Sequence, residues 1–390
     1  MGMHDGVGGR VREELLELLV ELVRIPSPNP PGDEDRVAEF ALDYLVESDI
    51  DAQRVPLEDG RSSVVGRVQG QGTRSIVLCG HLDTVAVHEE KWSVPPFSGR
   101  LVGDRVYGRG AADMKGGVAA ILRAARWVVE TGRRLGKSLV VALTADEEGG
   151  YRGAKSLAEG GYLDDAEFLL IAEPTGGAVF LGQKGELWIR ASFSGRAAHG
   201  SVPELGANAV LPACQFGLAV VEGVEALPTW PEGRTSVNLG RLAGGWQVNV
   251  VPDKAEVDLD VRWVRTEDRE RVLGIVEEAG RDAATRWGVG FEYLVTNDRQ
   301  AIVVPTDAPY VAELIAAVTT VTARKPQVGI APYSTDAVEI VPRLEIPVAI
   351  YGPGSIAQAH QPDEYVELSS VVEAFEVLVR FLELSLGPWS

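Results

Sequence analysis

The sequence predicts an α/β layer domain interrupted by a smaller α+β domain, and three observations lead there. Up to about residue 182, apolar strand-like runs alternate with runs of helical periodicity, the pattern of strands and helices stacked in layers. From about residue 183 the texture changes to longer runs in which apolar and polar residues alternate, separated by two helical stretches. At 390 residues the chain is also longer than one hydrophobic core usually serves. The expected organisation is a discontinuous first domain, residues 1–182 and 298–390, and an inserted domain, residues 183–297.

The elements follow in order. Residues 10–24, "RVREELLELLVELVR", carry an apolar stripe at helical spacing, and "IPSPNPPGDED" ends that helix and caps the next. The runs "SSVVGRV", "SIVLCG", "SLVVALTA" and "EFLLIAE" read as strands, "DRVAEFALDYLVE" and "MKGGVAAILRAARWVVE" as helices. In the insert, "GELWIRASFSG", "KAEVDLDVRWV" and "GFEYLVT" are alternating strands; residues 206–227 and 266–288 are helices. The layer pattern then resumes with "APYVAELIAAVTTVTA", "IPVAIYGPG" and a closing helix.

Composition excludes several classes. A net charge of −20 argues against nucleic acid and anionic membranes as partners, because both reward a basic surface. Cys79 and Cys214 both lie in apolar stretches and read as buried, with no disulfide framework. No run reaches membrane-spanning length, and the first residues lack a charged-then-apolar signal layout, so the expected location is the cytoplasm.

Acidic and histidine residues stand where apolar strands run out. His81 and Asp83 follow "SIVLCG"; side chains two apart leave a strand on one face, so the pair is expected to touch. Asp113 lies in "GRGAADMKGG" before a helix, Glu147 and Glu148 follow "SLVVALTAD", Glu173 follows "EFLLIA", and His360 follows "VAIYGPGSIAQA". Each has an ordinary structural reading: a hydrogen-bonded strand end, a glycine-rich turn without Walker spacing, a solvated acidic pair, a loop histidine. Taken together, five such ends that use two of the chain's five histidines are more economically one site. Ligands gather outside the carboxyl ends of strands in open α/β sheets, and zinc favours imidazole and carboxylate donors.

The ordered set "GHLDTV", "GRGAADMKGG", "ADEEGG", "AEPT", "AAHGS" and "YGPGSIAQAHQPDEYV" resembles the motifs of the M20 family of dinuclear metallopeptidases and deacylases. The resemblance runs from about residue 10 to the C-terminus. It implies a metallopeptidase-type α/β domain with a central mixed sheet, and an inserted lid and dimerisation domain. It also implies two divalent ions per subunit, zinc first and cobalt or manganese next. Asp113 would bridge them, with His81 and Glu173 on one ion and Glu148 and His360 on the other. Asp83 would accept the second ring N–H of His81, fixing its tautomer, and Glu147 would be general base. The peptide after Asp113 is expected to be cis.

In the insert, the resemblance makes His199 the donor to the reaction's oxyanion, reaching the neighbouring subunit's site, and Asn249 and Arg262 lid contacts. Arg262 suits a bidentate grip on an α-carboxylate, or equally a cross-strand pair with Asp258, Asp260 or Glu256. Gly352 and Gly354 either bring backbone amides to the substrate or simply make a turn. The expected assembly is a homodimer through residues 183–297, using a strand edge in "GELWIRASFSG" and the apolar helix "AVLPACQFGLAVV".

The stretch "GPGSIAQAHQPDEYV" is most similar to acetylornithine deacetylases, whereas "APYSTDAVEI" departs from the Gly-Thr-Glu segment many of them carry. The resemblance therefore implies an amidohydrolase for a small N-acyl amino acid or dipeptide, acetylornithine deacetylase-like first. Succinyl-diaminopimelate desuccinylase, general aminoacylase and glutamate carboxypeptidase or dipeptidase follow. A catalytically inactive binding protein is disfavoured by the complete ligand set. A serine hydrolase is disfavoured by the absence of a G-x-S-x-G elbow.

Overall fold

A computed structural model describes residues 5–387, and by contact the chain divides into two compact units. The first runs through Gly182 and takes in Val304–Gly329 and the chain from Thr335 onward; the second is Gln183–Val303 with Ile330–Ser334. The expected ends at residues 1–4 and 388–390 lie outside the described residues.

In the first unit the helices are α1 (Asp5–Arg24), α2 (Asp35–Glu47), α3 (Gly116–Glu130) and α4 (Arg152–Glu159). The strands are β1 (Asp51–Pro56), β2 (Ser62–Val68), β3 (Ser75–His81), β4 (Ser138–Thr144), β5 (Ala166–Ile171) and β6 (Val179–Gln183). In the second come β7 (Gly185–Ser194), α5 (Val210–Glu225), β8 (Ser236–Gly244), β9 (Lys254–Trp263), α6 (Thr266–Trp287) and β10 (Gly290–Arg299). The first unit closes with α7 (Val311–Thr322), α8 (Ala337–Leu344), β11 (Val348–Ile350) and α9 (Leu368–Ser385).

The first unit's sheet has the order β6–β11–β5–β3–β4–β2–β1 and is mixed, with β11, β5, β3 and β4 parallel and the outer strands antiparallel. Its central strand β3 is buried along its whole length, as an apolar run covered on both faces must be. Helices α1, α3 and α9 pack on one another, α7 packs on α9, and α4 packs with α8. No helix among the described residues is long and apolar enough to cross a membrane.

The second unit is an antiparallel sheet, β8–β9–β7–β10, whose inward residues alternate along β9 and pack Leu187, Phe193, Val257 and Leu259 against Phe216 and Val220 of α5 and Val276 of α6. Two expectations are corrected here. "GELWIRASFSG", expected as a free edge, is β7, paired on both sides by β9 and β10; the edges are β8 and β10. Cys214, expected buried, is exposed, because it shares the outward face of α5 with Leu211 (44% exposed) and Leu218 (66%). The unit also ends later than residue 297, since β10 continues to Arg299.

Candidate active site and metal centre

Parallel pairing brings the carboxyl ends of three strands together: His81, the last residue of β3, lies opposite Thr144 of β4, and Cys79 lies opposite Ile171 of β5. The residues just beyond those ends are Glu147, Glu148 and Glu173. Asp113 arrives on the turn before α3, where the Asp113–Met114 peptide is cis, as the resemblance implied. Two glycines let the backbones close on that point. A Cβ on Gly117 would stand 2.1 Å from the Ala172 carbonyl oxygen, and one on Gly352 would stand 2.1 Å from the same oxygen and 2.6 Å from that of Glu173.

The carboxylate of Asp113 is divided between two imidazoles. Oδ1 lies 3.0 Å from His81 Nε2, and Oδ2 lies 3.4 Å from His360 Nε2. Each Nε2 faces a second carboxylate oxygen: Glu173 Oε1 at 3.6 Å from His81 and Glu148 Oε1 at 3.0 Å from His360. Ligand atoms of His81, Asp113 and Glu148 all lie within 4.8 Å of one another. These donors are the nitrogen and oxygen types that divalent zinc, cobalt and manganese take. Charge points the same way. Burial pushes the Glu147, Glu148 and Glu173 carboxyls above the usual range, and repulsion from neighbouring carboxylates adds to it, that of Asp113 at Glu148 and Glu173 and that of Glu173 and Glu148 at Glu147. His360 is pushed up to about 10 by its hydrogen bonds with Asp113 and Glu148. Burial disfavours the His81 cation, but Glu173, Asp113 and Glu147 outweigh it and raise its pKa. A buried cluster this acidic is the environment cations relieve. The residues present therefore fit a pair of divalent ions sharing Asp113.

The expected contact between His81 and Asp83 is corrected in its atoms. His81 Nδ1 donates to the backbone carbonyl of Asp83 at 3.0 Å, while the Asp83 carboxylate stands 3.6 Å away. The strand ends at His81, so the two-residue alternation does not carry through to Asp83. The tautomer is still fixed, with Nε2 left as the lone-pair nitrogen. The Asp83 carboxylate has other work. Oδ1 accepts from the Glu147 N–H at 3.0 Å, and Oδ2 accepts from the Glu148 N–H at 3.0 Å and Asn29 Nδ2 at 2.9 Å.

That bond opens a support network that sequence reasoning missed. Asn29 also donates to Asp146 at 2.9 Å, and Asp146, at φ 67°, accepts from Arg61 and from Arg152 at 2.7 Å. Glu34, expected near a helix cap, makes no cap bond; it accepts from the Asp146 N–H at 3.2 Å and from Arg61 at 3.4 Å. On the other side Glu364 accepts from the Ala112 and Asp113 N–H groups at 2.9 and 3.1 Å and pairs with Arg109. Asp146 and Glu364 had a signal in "ADEEGG" and "HQPDEY"; Asn29 and Arg61 had none.

Glu147 is 8% exposed, and its carboxyl makes no hydrogen bond to the described residues, leaving both oxygens for a substrate or water. Gly354 makes its turn at φ 79°. In the second unit, the Ser201 N–H and hydroxyl approach His199 Nδ1 at 3.1 and 2.7 Å. The backbone donor makes Nδ1 an acceptor and puts the ring proton of the neutral imidazole on Nε2. Asn249 is exposed, and its backbone carbonyl accepts from Gly200 at 2.7 Å. Arg262 is already gripped: it donates to Asp260 at 2.8 and 3.2 Å and to Glu186, opposite it on β7, at 3.1 Å. A bidentate grip on a substrate carboxylate needs one of those acids released, whereas Nη1, 3.5 Å from the Ser334 hydroxyl, is left for a single contact.

Strand-end histidines and carboxylates around a split aspartate, with a buried unpartnered glutamate beside them, define the class as a metal-dependent hydrolase. The chain belongs to peptidase family M20/M25/M40, which it matches over residues 77–384. Its relatives include a probable succinyl-diaminopimelate desuccinylase of Staphylococcus aureus (strain MSSA476), 27% identical over 410 residues, covering 94% of this chain and 96% of the relative. Another is an acetylornithine deacetylase of Vibrio campbellii (strain ATCC BAA-1116), 28% identical over 383 residues, with coverage of 94% and 96%. Among solved structures, aminopeptidase PepT of Bacillus cereus ATCC 10987 superposes with a TM-score of 0.81 at 20% identity, covering 97% of this chain and 99% of that one. A dinuclear metal-binding peptidase of the M20 family from Bacillus subtilis does so with a TM-score of 0.75 at 14% identity, covering 97% and 99%. The chain is thus a hydrolase of amide or peptide bonds with the fold of this family.

Proposed function

We propose that the protein is a two-metal amidohydrolase that removes the acyl group from an N-acylated α-amino acid, with N-acetylornithine the first substrate to test. The observation that carries the reading is the Asp113 carboxylate divided between His81 and His360 with the unpartnered Glu147 beside it. Two relatives whose names denote removal of an acyl group support deacylation over cleavage between amino acids. The desuccinylase relative, at nearly the same identity, makes an N-succinylated diamino acid the second reading.

His81, Asp113 and Glu173 would hold one ion and Asp113, Glu148 and His360 the other. Bound there, the ions (zinc first, with cobalt or manganese alternatives) would polarise the scissile carbonyl and lower the pKa of a bound water to about 7. Glu147 takes a proton from the attacking water and hands it to the leaving amine. Asp83 holds the Glu147 and Glu148 backbone so that one carboxylate faces the ions and the other the water. His199 Nε2–H donates to the oxygen on which negative charge develops, a type of contact whose loss costs about 10²–10³ in turnover. The second unit serves as lid, and Gly352 packs the turn that carries Glu173.

We place the lid in a homodimer, each His199 serving its partner's site. The unpaired edge of β8 and the outward apolar face of α5, with Leu211 and Leu218, support this. Mixing His199→Ala with Glu147→Ala protein under subunit exchange should restore turnover to at most about half per heterodimer; no recovery despite proven exchange would leave His199 acting within one chain or not at all.

The substrate test is a panel of acetyl, succinyl and long-chain acyl amino acids and dipeptides with metal-loaded protein. The acetylated diamino acid should give the highest kcat/KM. A higher value for the succinyl compound selects the second reading, and turnover confined to dipeptides would overturn deacylation.

A further inference from the structure

A cavity of about 780 Å³ opens in the first unit, and none of His81, Asp113, Glu147, Glu148, Glu173 or His360 lines it. One wall is formed by the turns at residues 175–178 and 351–355. They are tied together by the Gly176 N–H donating to the Gly354 carbonyl at 2.8 Å and by a bridge between Thr175 and Ser355. The facing walls are the loop after α7, with Arg324 and Lys325, and the first turns of α9, with Glu373.

The charges there are uncompensated. The Arg324 and Lys325 side chains form no ion pair with any described residue, in a chain whose net charge is −20. Glu373 is half-buried and has no cation partner among the described residues. Tyr351, 2% exposed, lines the cavity with its hydroxyl unpartnered among them. Burial raises the pKa of that hydroxyl and the Glu373 charge adds to it, so it stays a donor. The rest of the lining is mixed: Phe180, Val318, Val328 and Ala374 give an apolar surface, beside hydroxyl and amide groups and the Glu367 carboxylate, which pairs with Arg105. The buried Tyr351 hydroxyl is costly unless a ligand or water meets it, while the exposed Arg324 and Lys325 offer solvated charge at the cavity's rim. Volumes of about 300–1,000 Å³ are those of small-molecule sites.

We propose that this cavity is a second small-molecule site that takes a free α-amino acid with an apolar side chain. The carboxylate lies on Arg324 and Lys325, the ammonium on Glu373, and the side chain on the Phe180–Val318 surface. The ligand class comes from the lining charges and goes beyond the proposed catalytic role. Any occupant packs on the turns that follow Glu173 and precede His360, so it contacts the chain segments that carry two residues of the metal cluster.

The test is calorimetric titration of metal-loaded protein with L-leucine, using L-leucinamide, which lacks the carboxylate, and 4-methylpentanoate, which lacks the ammonium, as controls. L-Leucine should bind, and each control should bind about tenfold or more weakly, the loss expected for one charge-assisted contact. Arg324→Ala combined with Lys325→Ala, and separately Glu373→Gln, should weaken L-leucine by a similar factor. Their kcat/KM at low free amino acid should stay within about twofold of wild type. Both cations are exposed, so the double variant should fold; its melting temperature checks this. Absence of L-leucine binding to wild type would overturn the proposal, as would equal binding of the controls, unchanged affinity in the variants, or full displacement by substrate. Turnover of N-acyl amino acids by the same preparation reports on the catalytic reading independently.

Discussion

Asp83→Asn exchanges one carboxylate oxygen for an amide NH₂ at a residue that is fully buried and serves three donors. If the NH₂ replaces Oδ1 it faces the Glu147 N–H; if it replaces Oδ2 it faces the Glu148 N–H and Asn29. The first orientation costs less and still sets a donor against a donor. A charge-assisted hydrogen bond contributes about 1.5–3 kcal/mol and an unsatisfied buried donor costs about 1–3 kcal/mol, so a stability loss of about 3 kcal/mol or more is expected. The assay is denaturant unfolding with metal saturating, so that relief of repulsion among buried acids does not mask the loss. Metal affinity should fall by about ten- to a hundredfold, because the freed backbone carries Glu148. Turnover should fall with it, because Glu147 moves too. A midpoint and metal affinity equal to wild type would refute the assignment of the Asp83 carboxylate to the Glu147–Glu148 backbone.

Glu147→Ala should keep its metals and lose about 10²–10⁴ or more in turnover, whereas Glu148→Ala should lose metal; elemental analysis beside kcat checks both, and the opposite pattern reverses the roles. Gly352→Ala drives a Cβ into the Ala172 carbonyl at 2.1 Å. It should cost about 1–3 kcal/mol and lower metal affinity by displacing Glu173, as a melting curve and a metal titration would show. Glu34 is pushed from its usual 4.5 up to about 7, first by burial and then by the Asp83 charge. The folded state therefore holds this proton more tightly than the unfolded state, and the associated stability is present below about pH 4.5 and lost as pH rises to about 7. Unfolding of Glu34→Gln across that window should lack this component; an identical pH slope in both proteins would contradict it.

The strand ends were legible because an apolar run that stops at a histidine or an acid is visible without knowing the fold. His81, Glu147, Glu148 and Glu173 were found that way, and parallel pairing then set them side by side. The alternation of β7 reports which residues face the core and is silent on which edges are paired, so its central place could not be read. Cys214 was misread because apolar neighbours in sequence do not say which face of α5 a residue occupies. Asn29 and Arg61 reach the site across more than fifty residues of chain, and an isolated asparagine or arginine gives no sign of such a reach.

The most direct measurement is a zinc titration of chelator-stripped protein, following turnover of an N-acetyl amino acid and the metal bound per chain. The stripped protein should be inactive, and activity should climb to a plateau as two ions bind each chain. Asp113→Asn should fail to hold both ions under the same conditions. Full turnover by the stripped protein, or a plateau reached with Asp113→Asn as readily as with wild type, would contradict a site in which Asp113 joins two metals.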